Sequence, residues 1–216
     1  MGVKRVVRAA VFDFGNVLAP FSHLKACTGL AQFSDLGPSE IYKAIFDDGI
    51  NKRFDEGKLR AKKFYEEVSR KIDVNTKLGF GPFSDAWNSI FDHNPDMEPF
   101  LSEVRPDVKL FLLSNTNEIH WSYISELPVI QRFFSKRKQQ VLSFRTRVIK
   151  PHPLAFLKVI ARTGCERDGI LYVDDIHANV KAWEALAGRG QGFVYHCELH
   201  SIDRLKVKFG SLGLLK

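Results

Sequence analysis

Two hydrophobic patterns divide this chain. One is the short apolar run of strand length; the other is the recurrence of apolar residues every three or four positions that marks a helix buried on one face. Val6 to Phe12 is the first run, broken only by Arg8, and the Gly15-Asn16 pair just after it gives the backbone freedom for a sharp turn. From about Ala19 to Asn94 such runs vanish and helical spacing takes over. Ile41, Ile45 and Phe46 form one face, Phe64, Tyr65, Val68 and Ile72 a second, and Ala86, Trp87, Ile90 and Phe91 a third. Polar and glycine-rich joints separate them at Asp47-Asp48-Gly49, Asp55-Glu56-Gly57 and Gly79-Phe80-Gly81-Pro82.

From Pro95 onward strand and helix alternate, the signature of a parallel α/β sheet. Val108 to Leu113 is a strand ending at Ser114, followed by a helix over Glu118 to Leu127. Val141 to Phe144 is a shorter strand leading to Lys150-Pro151; Pro153 opens a helix closed by Gly164. Ile170 to Val173 is a buried strand ending in Asp174-Asp175, its helix runs to about Ala187, and Gly192 to His196 is a last strand before the basic tail around Arg204 to Lys208. The expected architecture is a doubly wound parallel α/β core, Rossmann-like, made of residues 1–18 and 95–216, with a helical domain of residues 19–94 inserted into it.

Composition adds bounds rather than detail. At 216 residues, 44% hydrophobic and 26% charged, the chain has the make-up of an ordinary soluble protein with one full-sized core and a smaller appended domain. No run approaches the ~20 apolar residues that span a bilayer. The amino-terminal Lys4, Arg5 and Arg8 precede no signal-type apolar segment, so a cytoplasmic location is expected. Three distant cysteines, Cys27, Cys165 and Cys197, indicate neither a disulfide framework nor a structural zinc. The net charge of +7 favours an anionic partner, phosphorylated metabolite or nucleic acid alike.

Candidate chemistry sits where strands end. Asp13, Ser114 and Asp174-Asp175 each follow a buried strand, and neighbouring parallel strands would bring them to one crevice at the sheet's carboxyl edge. Carboxylates that close raise one another's pKa unless a cation intervenes. Magnesium suits them, because it takes oxygen ligands and is commonly held by one or two carboxylates with a substrate phosphate. Lys150 could reach the same crevice and neutralise an anion. Taken singly, Asp13 reads equally well as a surface acid, Lys150 as a loop lysine and Asp175 as a helix cap.

Together, VFDFGNVL around Asp13, FLLSNTN around Ser114, Lys150 in VIKPHP and YVDDIHAN around Asp174 and Asp175 resemble, in order and over nearly the whole chain, the four motifs of the haloacid dehalogenase superfamily. The helical insert falls where one branch of that superfamily carries its cap, and LLSNTNEIH with DFGNV looks most like a branch of small sugar-phosphate phosphatases. The resemblance implies a Mg²⁺-dependent phosphatase acting on a small phosphorylated metabolite through an aspartyl-phosphate. Asp13 would be the nucleophile, Ser114 and Lys150 would bind phosphoryl oxygens, and the Asp13 carboxylate, the Gly15 carbonyl and Asp175 would hold Mg²⁺ with Asp174 beside or behind it. Asn115 is a further polar contact, and Asn179 orients the acid loop.

One departure stands out. Many phosphatases of that superfamily carry a second aspartate two residues after the nucleophile, which protonates the leaving group; here that position is Gly15. Losing such a group typically lowers the rate ~10²- to 10⁴-fold. Three readings stay open: a substrate with a relatively acidic leaving oxygen such as an anomeric hydroxyl, another residue in the role, with His23 and His177 as candidates, or a slow relative. Rival functions are a 2-haloacid dehalogenase, which the acid pair disfavours, a phosphometabolite-binding relative without turnover, and nucleic-acid binding through Lys136, Arg137, Lys138, Arg145, Arg147 and Lys150, unsupported by any recognisable module. A monomer or homodimer with no membrane or nucleic-acid partner is expected.

Overall fold

The structure, a computed structural model, describes residues 6–74 and 78–216; Lys4 and Arg5 lie outside them. Five parallel strands form one sheet in the order β3-β2-β1-β4-β5, with β1 at Ala9–Phe12, β2 at Lys109–Ser114, β3 at Gln140–Leu142, β4 at Ile170–Asp174 and β5 at Gly192–Val194. β1 lies at the centre, pairing with β2 on one side and β4 on the other, so Phe12 stands between Leu112 and Val173. That register sets the tips of the three acid- or serine-terminated strands side by side.

Both faces of the sheet are covered, which is why its strands read as continuous apolar runs. Ala9, Val11, Phe111, Leu113 and Tyr172 pack on the helices Pro153–Thr163 and His177–Ala187. Ala10, Phe12, Leu112, Leu171 and Val173 pack on Met97–Glu103, Pro128–Phe133 and Asp203–Ser211. Between β1 and β2, a separate apolar core joins helices His23–Leu30, Pro38–Tyr42, Ile50–Asp55, Ala61–Lys71 and Phe80–Asn88, centred on Phe54, Phe64, Phe83 and Trp87. No helix among the described residues is long and apolar enough to cross a membrane.

Several boundaries differ from the sequence reading. The third strand ends at Leu142, and Ser143–Thr146 turn into one helical turn, because the Ser143 hydroxyl closes a reciprocal pair with the Thr116 amide and carbonyl at 2.8 and 2.9 Å. The helix expected over Glu118 to Leu127 stops at Ile124, and a second helix, Pro128–Phe133, begins just beyond the expected end, since Pro128 suits a first helical position and disfavours helical backbone in the residue before it. The last strand stops at Val194; the basic tail, for which the sequence allows a surface helix or a strand, is the helix Asp203–Ser211.

Contacts at Gly57 and Glu118 help fasten the inserted helices to the core. Gly57, in a left-handed conformation at φ +66°, packs so closely on the β3 loop that a Cβ there would fall 2.1 Å from the Phe144 carbonyl oxygen. Across from it, Glu118 accepts the Ala61 amide at 2.9 Å and the Arg60 guanidinium at 2.5 Å, so a core side chain caps an inserted helix.

Candidate active site

Asp13 follows β1 directly. Its amide donates to the Val173 carbonyl at 2.9 Å, which carries the sheet's hydrogen bonding one residue past the strand and holds the side chain at the sheet's edge. The turn beyond it closes with the Leu18 amide on the Phe14 carbonyl at 2.8 Å, and Asn16 takes the left-handed conformation, φ +53°. The Asp13 carboxylate is almost fully buried; its Oδ1 accepts the Phe14 amide at 2.7 Å and faces Lys150 Nζ at 2.7 Å.

Lys150 enters from the loop after β3. Asn115, at the tip of β2, accepts the Lys150 amide at 2.8 Å and donates to its carbonyl at 3.1 Å, which pins that loop to the central strands. The ammonium is buried and sits 2.7 Å from both Asp13 Oδ1 and Asp174 Oδ2. Burial alone would lower its pKa, but the charges of Asp13 and Asp174 outweigh this and hold it above the ordinary value.

Asp174 and Asp175 point to opposite tasks, as neighbours at a strand end must. Asp174 shares its face of β4 with Tyr172, whose hydroxyl it accepts; it also accepts the Ile176 amide at 2.8 Å and the Asn179 side chain at 3.0 and 3.1 Å. With Lys150 added, both its oxygens are engaged. Asp175 makes one side-chain contact of this kind, accepting Asn16 Nδ2 at 3.2 Å. Burial holds the Asp175 carboxyl above the ordinary range.

One carboxylate oxygen from each of Asp13, Asp174 and Asp175 lies within 4.8 Å of the others. Three acids against one ammonium leave a surplus of negative charge. Burial, opposed by Lys150 but reinforced by Asp174 and Asp175, pushes the Asp13 carboxyl up to about 7. An all-oxygen cluster of that charge fits a hard divalent cation.

Above the cluster lies a cavity of about 170 Å³, between the sheet's edge and the inserted helices. Asp13, Ser114, Lys150 and Asp175 form its floor; Phe21, His23, Asn51 and Asp55 come from the inserted segment. Four of the residues lining it each hold a buried polar atom with no hydrogen-bond partner among the described residues: His23 Nδ1, Asn51 Oδ1, Thr116 Oγ1 and His120 Nε2. Buried polar atoms are normally paired, so four orphans around one cavity mark where a polar guest would sit. Burial lowers the His23 pKa to about 4 and puts that of His120 well below its ordinary value.

The structure thus brings Asp13, Gly15, His23, Ser114, Asn115, Lys150 and Asp175 around one cavity, with Asp174 beneath Lys150. His177 is exposed and does not line it. Phe54 and Trp87 pack in the insert's own core, whereas Phe21 lines the cavity. Lys150, counted in the basic stretch, is turned inward. Tyr172 opens YVDDIHAN and His120 closes LLSNTNEIH, but the sequence singles out neither for a role; Asn51 and Asp55 carry no motif signal, and Asp55 stands in a joint that reads only as a helix break. Asn117, inside FLLSNTN, caps its helix through the His120 amide at 3.0 Å and donates to Asp55 Oδ1 at 2.9 Å.

No protein-family model and no curated protein matches the sequence. Solved structures do. A HAD family enzyme from Bacteroides thetaiotaomicron superposes with a TM-score of 0.79 at 20% identity, covering 93% of this chain and 98% of its own; the same enzyme was solved in complex with magnesium and inorganic phosphate. A predicted HAD-like family hydrolase from Porphyromonas gingivalis gives 0.79 at 24% identity, covering 94% and 97%. An L-2-haloacid dehalogenase from Xanthobacter autotrophicus, with chloropropionic acid covalently bound, gives 0.61 at 17%, covering 98% and 85%. The chain has the fold of the haloacid dehalogenase superfamily.

Proposed function

We propose that this protein is a Mg²⁺-dependent phosphatase of small phosphomonoesters, working through an aspartyl-phosphate on Asp13. The observation that carries the reading is the buried Asp13–Lys150–Asp174 chain at the sheet's carboxyl edge, with Asp175 free to face a cation. The magnesium and phosphate bound by the Bacteroides enzyme of this fold support it. When bound, Mg²⁺ would neutralise the acid cluster and stabilise charge on the transferring phosphoryl group.

The chain's own residues divide the remaining work. Asp13 offers the nucleophilic oxygen, and Lys150, held by Asp174, places a positive charge beside it for the phosphoryl oxygens. Ser114, buried at the next strand tip, supplies a hydroxyl to the same anion. Asn115 positions Lys150 through its backbone. Asp174 is spent on Lys150, Tyr172, Asn179 and the Ile176 amide, so Asp13 and Asp175, with the Gly15 carbonyl, would hold the cation. The inserted helices of residues 19–94 act as the cap, and their unpaired polar atoms favour a hydroxyl-bearing guest such as a sugar phosphate.

The test is phosphate release from a panel of phosphomonoesters with Mg²⁺ and with EDTA, by wild type and Asp13→Asn. Turnover confined to wild type with Mg²⁺ is expected. Activity that persists in Asp13→Asn removes the nucleophile, and metal-independent halide release from 2-haloacids would replace the phosphatase by a dehalogenase.

A further inference from the structure

A phosphomonoester with an ordinary alcohol leaving group needs a proton delivered to the departing oxygen, and the phospho-enzyme then needs a base to activate water. Gly15, beside Asp13, presents no side chain for either task, and the space where one would begin is taken: a Cβ on Gly15 would lie 2.7 Å from two ring carbons of Phe21. The proton carrier must therefore come from elsewhere in the cavity wall.

Elimination is possible among the described residues that line it. Asp13 and Asp175 belong to the cation cluster, and Lys150 is locked between Asp13 and Asp174. His23 is wedged against Phe21 and Phe46, with ring centroids 5.1 and 4.4 Å away, and His120 lies flat on Trp87 at 5.3 Å; burial keeps both imidazoles neutral at neutral pH, so neither holds a proton to give as a cation. Asp55 is the ionisable group left. It comes down from the cap helix Ile50–Asp55 and is tied to both sides of the cleft: Asn51 of its own helix donates to Oδ2 at 3.0 Å, and Asn117 of the core, three residues beyond Ser114, donates to Oδ1 at 2.9 Å.

The geometry points to Asp55 as the proton donor to the leaving oxygen and the base for the attacking water, supplied by the cap and assembled only when the cap is seated on the core. In the first step the Asp13 oxygen bonds to phosphorus as the ester P–O bond breaks, and the Asp55 proton passes to the departing alkoxide, which leaves as an alcohol. In the second, water bonds to phosphorus as the Asp13–phosphorus bond breaks, and its proton returns to Asp55. Its environment suits both: burial, opposed by the Asn117 and Asn51 hydrogen bonds and aided by the charge of Glu56, pushes its carboxyl up to about 7. The two neutral imidazoles are the other titratable groups it shares with the cavity's upper wall.

This inference rests on the phosphatase reading, and the leaving group separates the two. Hydrolysis of glycerol 1-phosphate, phenyl phosphate and para-nitrophenyl phosphate with Mg²⁺ is compared for wild type, Asp55→Asn, Asp55→Glu and Glu118→Ala. The Asp55→Asn enzyme is expected to lose ~10²- to 10⁴-fold in kcat/KM on glycerol 1-phosphate and far less on para-nitrophenyl phosphate. With the latter it should give a burst of nitrophenol and accumulate phospho-enzyme, seen by intact mass; Asp55→Glu recovers part of the loss. Glu118→Ala, which loosens the cap from outside the cavity, should raise KM for all three esters alike. Equal losses of Asp55→Asn on all three esters, without burst or phospho-enzyme, overturn the role of Asp55 and leave the phosphatase standing. A wild type that releases phosphate from none of them overturns both.

Discussion

At the scale of single residues, the acid pair separates into two functions that adjacent numbering conceals. Asp174 accepts donors from Lys150, Tyr172, Ile176 and Asn179, whereas Asp175 accepts only Asn16 among the side-chain bonds found. Asp174→Asn should therefore destabilise the protein even in EDTA, by about 3–5 kcal/mol, since it leaves the buried Lys150 short of a partner. Asp175→Asn should leave metal-free stability nearly unchanged but abolish the rise in Tm with Mg²⁺ that is expected of the wild type. Thermal unfolding with and without Mg²⁺ reads both. Gly15 makes a second case. Gly15→Asp by itself is expected to lower stability without improving hydrolysis of alkyl phosphates, because the Phe21 ring meets the new side chain at its first carbon; paired with Phe21→Ala it should regain room, and kcat on glycerol 1-phosphate reports the difference.

The elements that matter most are those joining the inserted helices to the sheet domain. Gly57 and Glu118 lie outside the chemistry but set where helix Ile50–Asp55 rests. Gly57→Ala should be far worse than an ordinary surface change, since it combines a left-handed φ with a clash against backbone that cannot swing away. Its expected effect is a displaced cap: proteolysis within residues 19–94 speeds up and kcat/KM falls at least tenfold, while the sheet keeps its circular-dichroism signal. Glu118→Ala removes a cap bond worth ~1 kcal/mol and should act in the same direction more mildly. The seating of the inserted helices matters because their residues form one wall of the cavity.

For the molecule as a whole, buried groups in one cavity tilt stability in opposite directions with pH, Asp55 and His23 among them. Asp55 titrates at about 7 when folded and at its ordinary 3.8 when unfolded. The folded state thus holds the extra proton, and the stabilisation this brings, complete below about 3.8, is lost as pH rises to about 7. His23 falls from 6.5 to about 4, so its stabilisation is present above 6.5 and lost as pH falls towards 4. The Asp55 and His23 slopes oppose each other in the wild type, and Asp13, also raised to about 7, adds to the first. Asp55→Asn should remove the Asp55 slope: relative to wild type its Tm rises steadily from pH 4 to 7 and then levels, on the order of 2–4 °C per kcal/mol recovered. A Tm difference independent of pH would show that Asp55 is not held protonated by the fold.

The division between what sequence and tertiary structure decide follows from how far each physical signal reaches. Apolar runs ending in Asp13, Ser114 and Asp174 were legible because a strand buried on both faces has no polar alternative, and helical spacing from Ala19 to Asn94 marked the insert for the same reason. Local chemistry also announced the Pro153 start and Gly164 end of one helix. The order of the strands, the turning inward of Lys150 and the different duties of Asp174 and Asp175 depend on packing across more than a hundred residues. Asp55 is the clearest instance. In the sequence it belongs to a polar joint between helices, and only the seating of the inserted helices on Asn117 makes it a buried carboxyl lining the cavity above Asp13, because burial and proximity are properties of the folded chain and of no local stretch within it.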